Sequence, residues 1–279
     1  MAEGARHSSR LTPASGAARN IARAQSVCPS TISRWTERGA RHLQRFDDEH
    51  LHLDDAVELQ LDELKSYGAG DRDHTWVYSA VEVWSRVWAA LRVGPRTLRS
   101  TLLFVRKLRT VFRAFLHPVL VTTDEFKYYL QVLRRVFGPG CVYAQVENRY
   151  RRDRIVRTES RVLLGTDAQV DEARARSEDS KKPNTAFIER LNLLKRRCCS
   201  YLNRRTPAPM RKPQRLTDAL EVLRAYYNFI RPHAALRFGS VTRTPAMQAG
   251  LFDRPLTFRE IFCWVPPPIR PTPKLLETR

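Results

Sequence analysis

Between residues 57 and 62 apolar and polar positions alternate: Val57, Leu59 and Leu61 against Glu58, Gln60 and Asp62. A period of two belongs to a strand with one buried face, here carrying a carboxylate at its end. Two further β-rich runs, 76–83 and 87–93, are separated by Ser85 and Arg86, and the three together predict an antiparallel meander. The period then changes to that of a helix over 97–115, with Leu98, Leu102, Val105, Leu108 and Phe112 on one face. A short apolar run, 119–124, predicts a buried strand that again ends on an acid, Asp124. A helix over 125–137 is stopped by Gly138-Pro139-Gly140, and a fifth strand follows at 142–146. The order βββαβαβ implies an α/β layered domain with a mixed sheet flanked by helices.

Residues from Asn148 to about Asn184 are basic and then mixed in charge with little periodicity, and predict a mobile loop across the face of the site. From Asn184, an N-cap candidate, a helix places Phe187, Leu191, Leu194, Cys198 and Tyr201 on one face and Glu189, Asn192 and Arg196 on another. A last long helix spans 216–230. At the other end, 21–35 predicts a helix, a short turn and a second helix beginning near Pro29. Ser30, Thr31, Ser33 and Arg34 would offer short polar and cationic side chains to a DNA groove, as in a helix-turn-helix; a plain helical hairpin is the alternative. The resulting division is a disordered basic tail (1–18), a helix-turn-helix-like segment (19–50), a main domain (55–252) and a proline-rich extended arm (253–279).

Charge adds what periodicity cannot. There are 49 Lys and Arg against 29 Asp and Glu, a net charge of +20. Such a surplus points to a polyanionic partner, because each phosphate neutralised releases condensed counterions. A structural RNA-binding protein would share it. No stretch reaches the ~18 uninterrupted apolar residues of a membrane span, so no membrane partner and an intracellular place are expected. Five cysteines without a Cys-x-x-Cys pair argue against a disulfide framework or a cysteine zinc site, and predict reduced, mostly buried thiols. Neither a glycine-rich phosphate loop nor the spacing of a nucleophile triad is present. Trp76, Trp84 and Trp88 are expected in the core, and His233 either near DNA or in a structural hydrogen bond at a helix end.

Hydrolysis of a phosphodiester by two metal ions needs carboxylates that hold the ions about 4 Å apart, and these acids can be distant in sequence. Asp62 and Asp124 end strands, and Glu189 lies on a helix. Neighbouring parallel strands would bring the first two together. Singly, Asp62 and Asp124 could be turn residues, and Glu189 could neutralise Arg190 or Arg196. Whether Asp62 or Glu63 is the first ligand stays open.

Three blocks carry a resemblance: Asp62-Glu63-Leu64; Thr123-Asp124 with Tyr128 or Tyr129 behind it; and Asn184-Thr185-Ala186-Phe187-Ile188-Glu189-Arg190-Leu191-Asn192. They resemble insertion-sequence transposases with an Asp-Asp-Glu site, and 226–233 with 243–247 is similar to the end of that catalytic domain and of retroviral-type integrases. The resemblance implies a ribonuclease H-like fold and an enzyme that cuts the ends of a mobile element and joins them to target DNA. It implies Asp62, Asp124 and Glu189 as ligands of Mg²⁺, for which Mn²⁺ can substitute, and Lys195, Arg196 and Arg197 as grips on the DNA backbone. Its partners would be double-stranded DNA, as terminal repeats and target, and further copies in a homo-oligomeric synaptic complex, on the nucleoid in the cytoplasm of a prokaryote. Glu125 after the second acid and the lack of a zinc finger motivate the alternative: a catalytically decayed or domesticated DNA-binding protein of the same fold.

Overall fold

The structure, a computed structural model, describes residues 15–66, 75–114, 116–151, 154–177, 184–203 and 212–267. Strands β1 (Glu58–Lys65), β2 (Thr75–Glu82), β3 (Trp88–Pro95), β4 (Val119–Thr123), β5 (Cys141–Arg151) and β6 (Arg154–Leu164) form one mixed sheet in the order β3-β2-β1-β4-β5-β6. The meander is antiparallel as its periodicity predicts, β1 and β4 are parallel, as are β4 and β5, and β6 returns antiparallel to β5. Helices α1 (Ser15–Ala24) and α2 (Pro29–His50) precede the sheet; α3 (Leu98–Val111) and α4 (Tyr128–Phe137) are inserted between its strands. After it come α5 (Asp167–Arg176), α6 (Ala186–Cys198), α7 (Pro213–Ala225), a two-residue-stranded hairpin of β7 (Arg237–Phe238) and β8 (Val241–Thr242), α8 (Pro245–Gln248) and α9 (Phe258–Cys263).

The two faces of β1 go to different cores. Leu59 and Leu61 join Tyr78, Val119, Val121, Phe104, Leu108 and Leu133 under α3 and α4. Leu64 joins Val77, Val81 and Trp88 under Ile188, Leu191, Leu216 and Leu220 of α6 and α7. A strand covered on both sides is a rigid platform. Gly138, at φ +57, ends α4 as its sequence predicts.

Six expectations are corrected. β1 does not end at Asp62 but runs to Lys65, because Glu63 is buried in a pairing with Arg96 and Leu64 feeds the second core. The span expected as a mobile loop contains the long second half of the β5–β6 hairpin and α5, whose start is a capping box of Thr166 and Gln169; 152–153 and 178–183 lie outside the described residues. An edge strand needs little apolar area, and at the described end of β6 Val162, Leu163 and Leu164 are only half-buried. The expected disordered tail gives way to α1 already at Ser15, while 1–14 lie outside the described residues. Within the expected arm, α9 starts on a capping box of Thr257 and Glu260 and packs on α2, with Trp264 edge-on to Phe46; 268–279 lie outside the described residues. Of the cysteines, Cys141 and Cys199 are buried but Cys28 and Cys263 are exposed. Trp88 is buried as expected, whereas Trp84 is 51% exposed.

α1 and α2 are joined by a short turn with Ser26 at φ +52, and Pro29 opens α2. The first turns of α2 leave Ser30 and Arg34 exposed and Thr31 and Ser33 half-buried, while Leu43 and Phe46 at its other end enter the main core. That end is also tied by charge. Buried Arg224 of α7 pairs with Asp47 and, at 2.8 Å, with Glu221. Burial, reinforced by Glu221 and opposed by Arg224, pushes the Asp47 carboxyl up to about 7. Being raised above the 3.8 of a free aspartate, it contributes stability that is complete below about pH 4 and lost as the pH rises to about 7. Relative to Asp47→Asn, the wild type is therefore expected to lose on the order of 2 kcal/mol between pH 5 and 7.5 in denaturant titrations; a pH-independent difference would contradict this.

Candidate metal centre

The parallel register of β1 and β4 sets Gln60 opposite Thr122. Side chains alternate along a strand, so Asp62 lies within β1 on the face of Gln60, and Asp124 follows directly on the last residue of the adjacent parallel strand β4. One carboxylate oxygen from each of Asp62, Glu63 and Asp124 lies within 4.8 Å of the other two. These three residues could hold a metal ion. An all-oxygen, all-carboxylate donor set suits a hard cation and not the softer metals that prefer sulfur or imidazole.

The acids differ in what already holds them. Asp62 Oδ1 accepts from the Glu63 backbone N–H at 2.7 Å, and Oδ2 accepts from the amide of Asn192. Glu63 comes from the opposite face of β1: its Oε1 accepts from Arg96 Nε at 2.9 Å and its Oε2 from the Tyr129 hydroxyl at 3.0 Å. Arg96 is in turn laid over the rings of Phe126 at 4.2 Å and Trp76 at 4.6 Å. Burial, with Asp124 adding repulsion against the pull of Arg96, pushes the Glu63 carboxyl up to about 8. Burial and then Asp62 push Asp124 up to about 6. Such crowding of carboxylates is the electrostatic condition a cation relieves.

α6 lies across this face. Its first N–H groups are held from β1: Gln60 Oε1 accepts from Phe187 N at 2.9 Å and Ile188 N at 3.2 Å, and Asn184 Oδ1 accepts from Ala186 N. Glu189 is exposed, its Oε1 accepting from the Thr185 hydroxyl at 2.8 Å, and it stands outside the three-acid group. The side chain of α6 that touches the acids is Asn192, one turn on. It was visible in the sequence only as a companion of Glu189 on one helical face. Lys195, expected at the DNA backbone, is instead fully buried: it donates to Ser79 Oγ at 2.8 Å and lies over Trp88 at 5.4 Å. Burial, against the pull of Asp62, brings its ammonium down to about 7. Arg196 is half-buried and Arg197 exposed. His233 takes the structural alternative, its Nε2 3.2 Å from the carbonyl of Tyr227 in the π-helical turn that follows α7.

Among the described residues no helix is long and apolar enough to cross a membrane. No protein-family profile and no curated protein matches the chain.

Proposed function

We propose that the chain is a metal-dependent DNA-cutting and strand-joining enzyme, a transposase. The observation that carries this reading is the grouping of Asp62, within β1, with Asp124, just past the end of the adjacent parallel strand β4, in a protein of net charge +20. The core order β3-β2-β1-β4-β5, antiparallel then parallel, is compatible with a ribonuclease H-like fold, with β6 as an addition. Asp62 and Asp124 would hold Mg²⁺, which supplies activation of water or a 3′ hydroxyl and charge neutralisation at the phosphate. Asp62, half-buried where Glu63 is buried and held by Arg96 and Tyr129, takes the first ligand position. Asn192 orients the Asp62 carboxylate, and Glu189 would complete the ligand set. Arg196 and Arg197, with Ser30, Thr31, Ser33 and Arg34, grip DNA, and cutting two ends together calls for a homo-oligomer.

The exposed position of Glu189 favours the second reading, a DNA-binding protein without catalysis. Incubating supercoiled DNA and DNA carrying the element's ends with the protein in Mg²⁺, Mn²⁺ or EDTA separates the two. Metal-dependent nicking or joining supports the enzyme, and tight binding with no cleavage in any metal supports the other. Because a residue that orients a metal ligand typically contributes ten- to hundredfold to affinity, Asn192→Ala is expected to weaken Mn²⁺ binding by at least about tenfold with circular dichroism unchanged. Unaltered affinity would remove Asn192 from the site.

A further inference from the structure

On the flank of α6 turned away from Asp62 lies a second feature, a cavity of about 240 Å³ between α6, β2 and the segment after α7. Arg190 and Asn192 are two residues apart on a helix, roughly 200° around its axis, so this cavity is separate from the acid group. Arg86, Arg190 and Arg231 line it together with His233, Phe187 and Tyr227, and among the described residues no acidic side chain does. The guanidinium of Arg86 is stacked on the Phe187 ring at 3.7 Å, and that of Arg190 lies 5.7 Å from the same ring. Tyr227 meets the His233 ring edge-on at 4.4 Å.

Arg86 is held there by the backbone. It sits at φ +65 in the β2–β3 turn, a left-handed conformation uncommon for a residue with a side chain and often associated with function. Buried Glu82 fixes the turn by accepting from Trp84 N at 3.1 Å, from Ser85 N at 2.7 Å and from the Ser85 hydroxyl. Preorganised guanidinium forks are the donors best matched to phosphate oxygens.

We propose that this cavity is a phosphomonoester-binding site, taking a terminal phosphate of a DNA strand or the phosphate of a free nucleotide. A phosphomonoester carries about −1.5 to −2 charges and a phosphodiester one, so a cavity lined by three arginines favours the monoester. The cavity is larger than a phosphate group, and the Phe187 and Tyr227 walls leave an apolar seat for the adjoining sugar or base. His233 adds a polar edge without adding charge, because burial, then Arg231 and Arg86, hold its proton off down to about pH 4.

The test compares affinities of the full chain for single strands of one sequence bearing a 5′ phosphate, a 3′ phosphate or hydroxyl ends, read by fluorescence anisotropy, with dAMP and inorganic phosphate as competitors. Internal phosphates are common to all strands, so the difference reports the terminal group. At least about a tenfold preference for one phosphorylated end is expected, and it should vanish in Arg190→Ala and in Arg231→Ala, both exposed positions. Competition by dAMP identifies a nucleotide site, and competition only by phosphorylated strands identifies a DNA-end site. Equal affinity for all ends with no displacement by dAMP overturns the proposal, as does a preference that survives the Arg190→Ala/Arg231→Ala double variant. Asp124→Asn should retain the preference, so failure of the metal reading would leave this result standing.

Discussion

Replacing Asp124 with Asn is expected to lower metal-dependent DNA cleavage by about a thousandfold, or roughly 4 kcal/mol of transition-state stabilisation. The side chain keeps its size, so the sheet is undisturbed, but a neutral amide is a poor ligand for a hard cation. Two controls distinguish this from unfolding. DNA binding should persist or tighten, since one negative charge leaves a basic surface. The metal-free variant should also unfold at a higher temperature than the metal-free wild type above about pH 6, because Asp124 is held up to about 6 by burial and by Asp62, and its ionisation is therefore a cost to the folded state. Loss of activity accompanied by lower stability or lost DNA binding would show that Asp124 acts through structure.

The largest expected effect on stability belongs to Arg224→Ala. The guanidinium is fully enclosed and neutralises both Asp47 of α2 and Glu221 of its own helix, with Lys107 of α3 at 3.8 Å from Glu221 and Gln44 bonded to the same carboxylate. Removing one partner from a buried charge cluster costs about 3–5 kcal/mol, a large part of the ~5–15 kcal/mol by which a domain is stable. Chemical denaturation should show that loss, and adding Asp47→Asn to the same chain should restore part of it, because the carboxylate left alone is then gone. A loss under about 1 kcal/mol would mean that water reaches the cluster and replaces the arginine.

What could be read in the sequence follows the physics of periodicity. The meander and the second acid-bearing strand announce themselves by alternation and by a short apolar run, and parallel neighbours then force Asp62 and Asp124 together. The β6 edge strand and α5 were missed because an edge element needs little apolar area. The start of α9 was written in Thr257 and Glu260, but the surrounding prolines outweighed it. The face of α6 was misread for a subtler reason. Its strongest apolar row, Phe187, Leu191 and Leu194, turns toward Tyr227 and the arginine-lined cavity, whereas the row against the sheet is Ile188, Leu191, Asn192 and Lys195. Polar side chains can occupy that row only because Asp62 and Ser79 of the sheet meet them, and a cross-sheet complement of that kind leaves no mark in a single helix's pattern. The engagement of Glu63 by Arg96 and Tyr129 is likewise a tertiary fact.

The most direct test is a Mn²⁺ titration of the wild type, Asp62→Asn and Asp124→Asn, followed by electron paramagnetic resonance of the free ion at pH 7.5, where Asp124 has lost its proton. Saturable binding in the wild type, weakened at least about tenfold by either substitution, is the predicted result. Binding equal in all three proteins, or none in the wild type, would contradict a metal centre at Asp62 and Asp124.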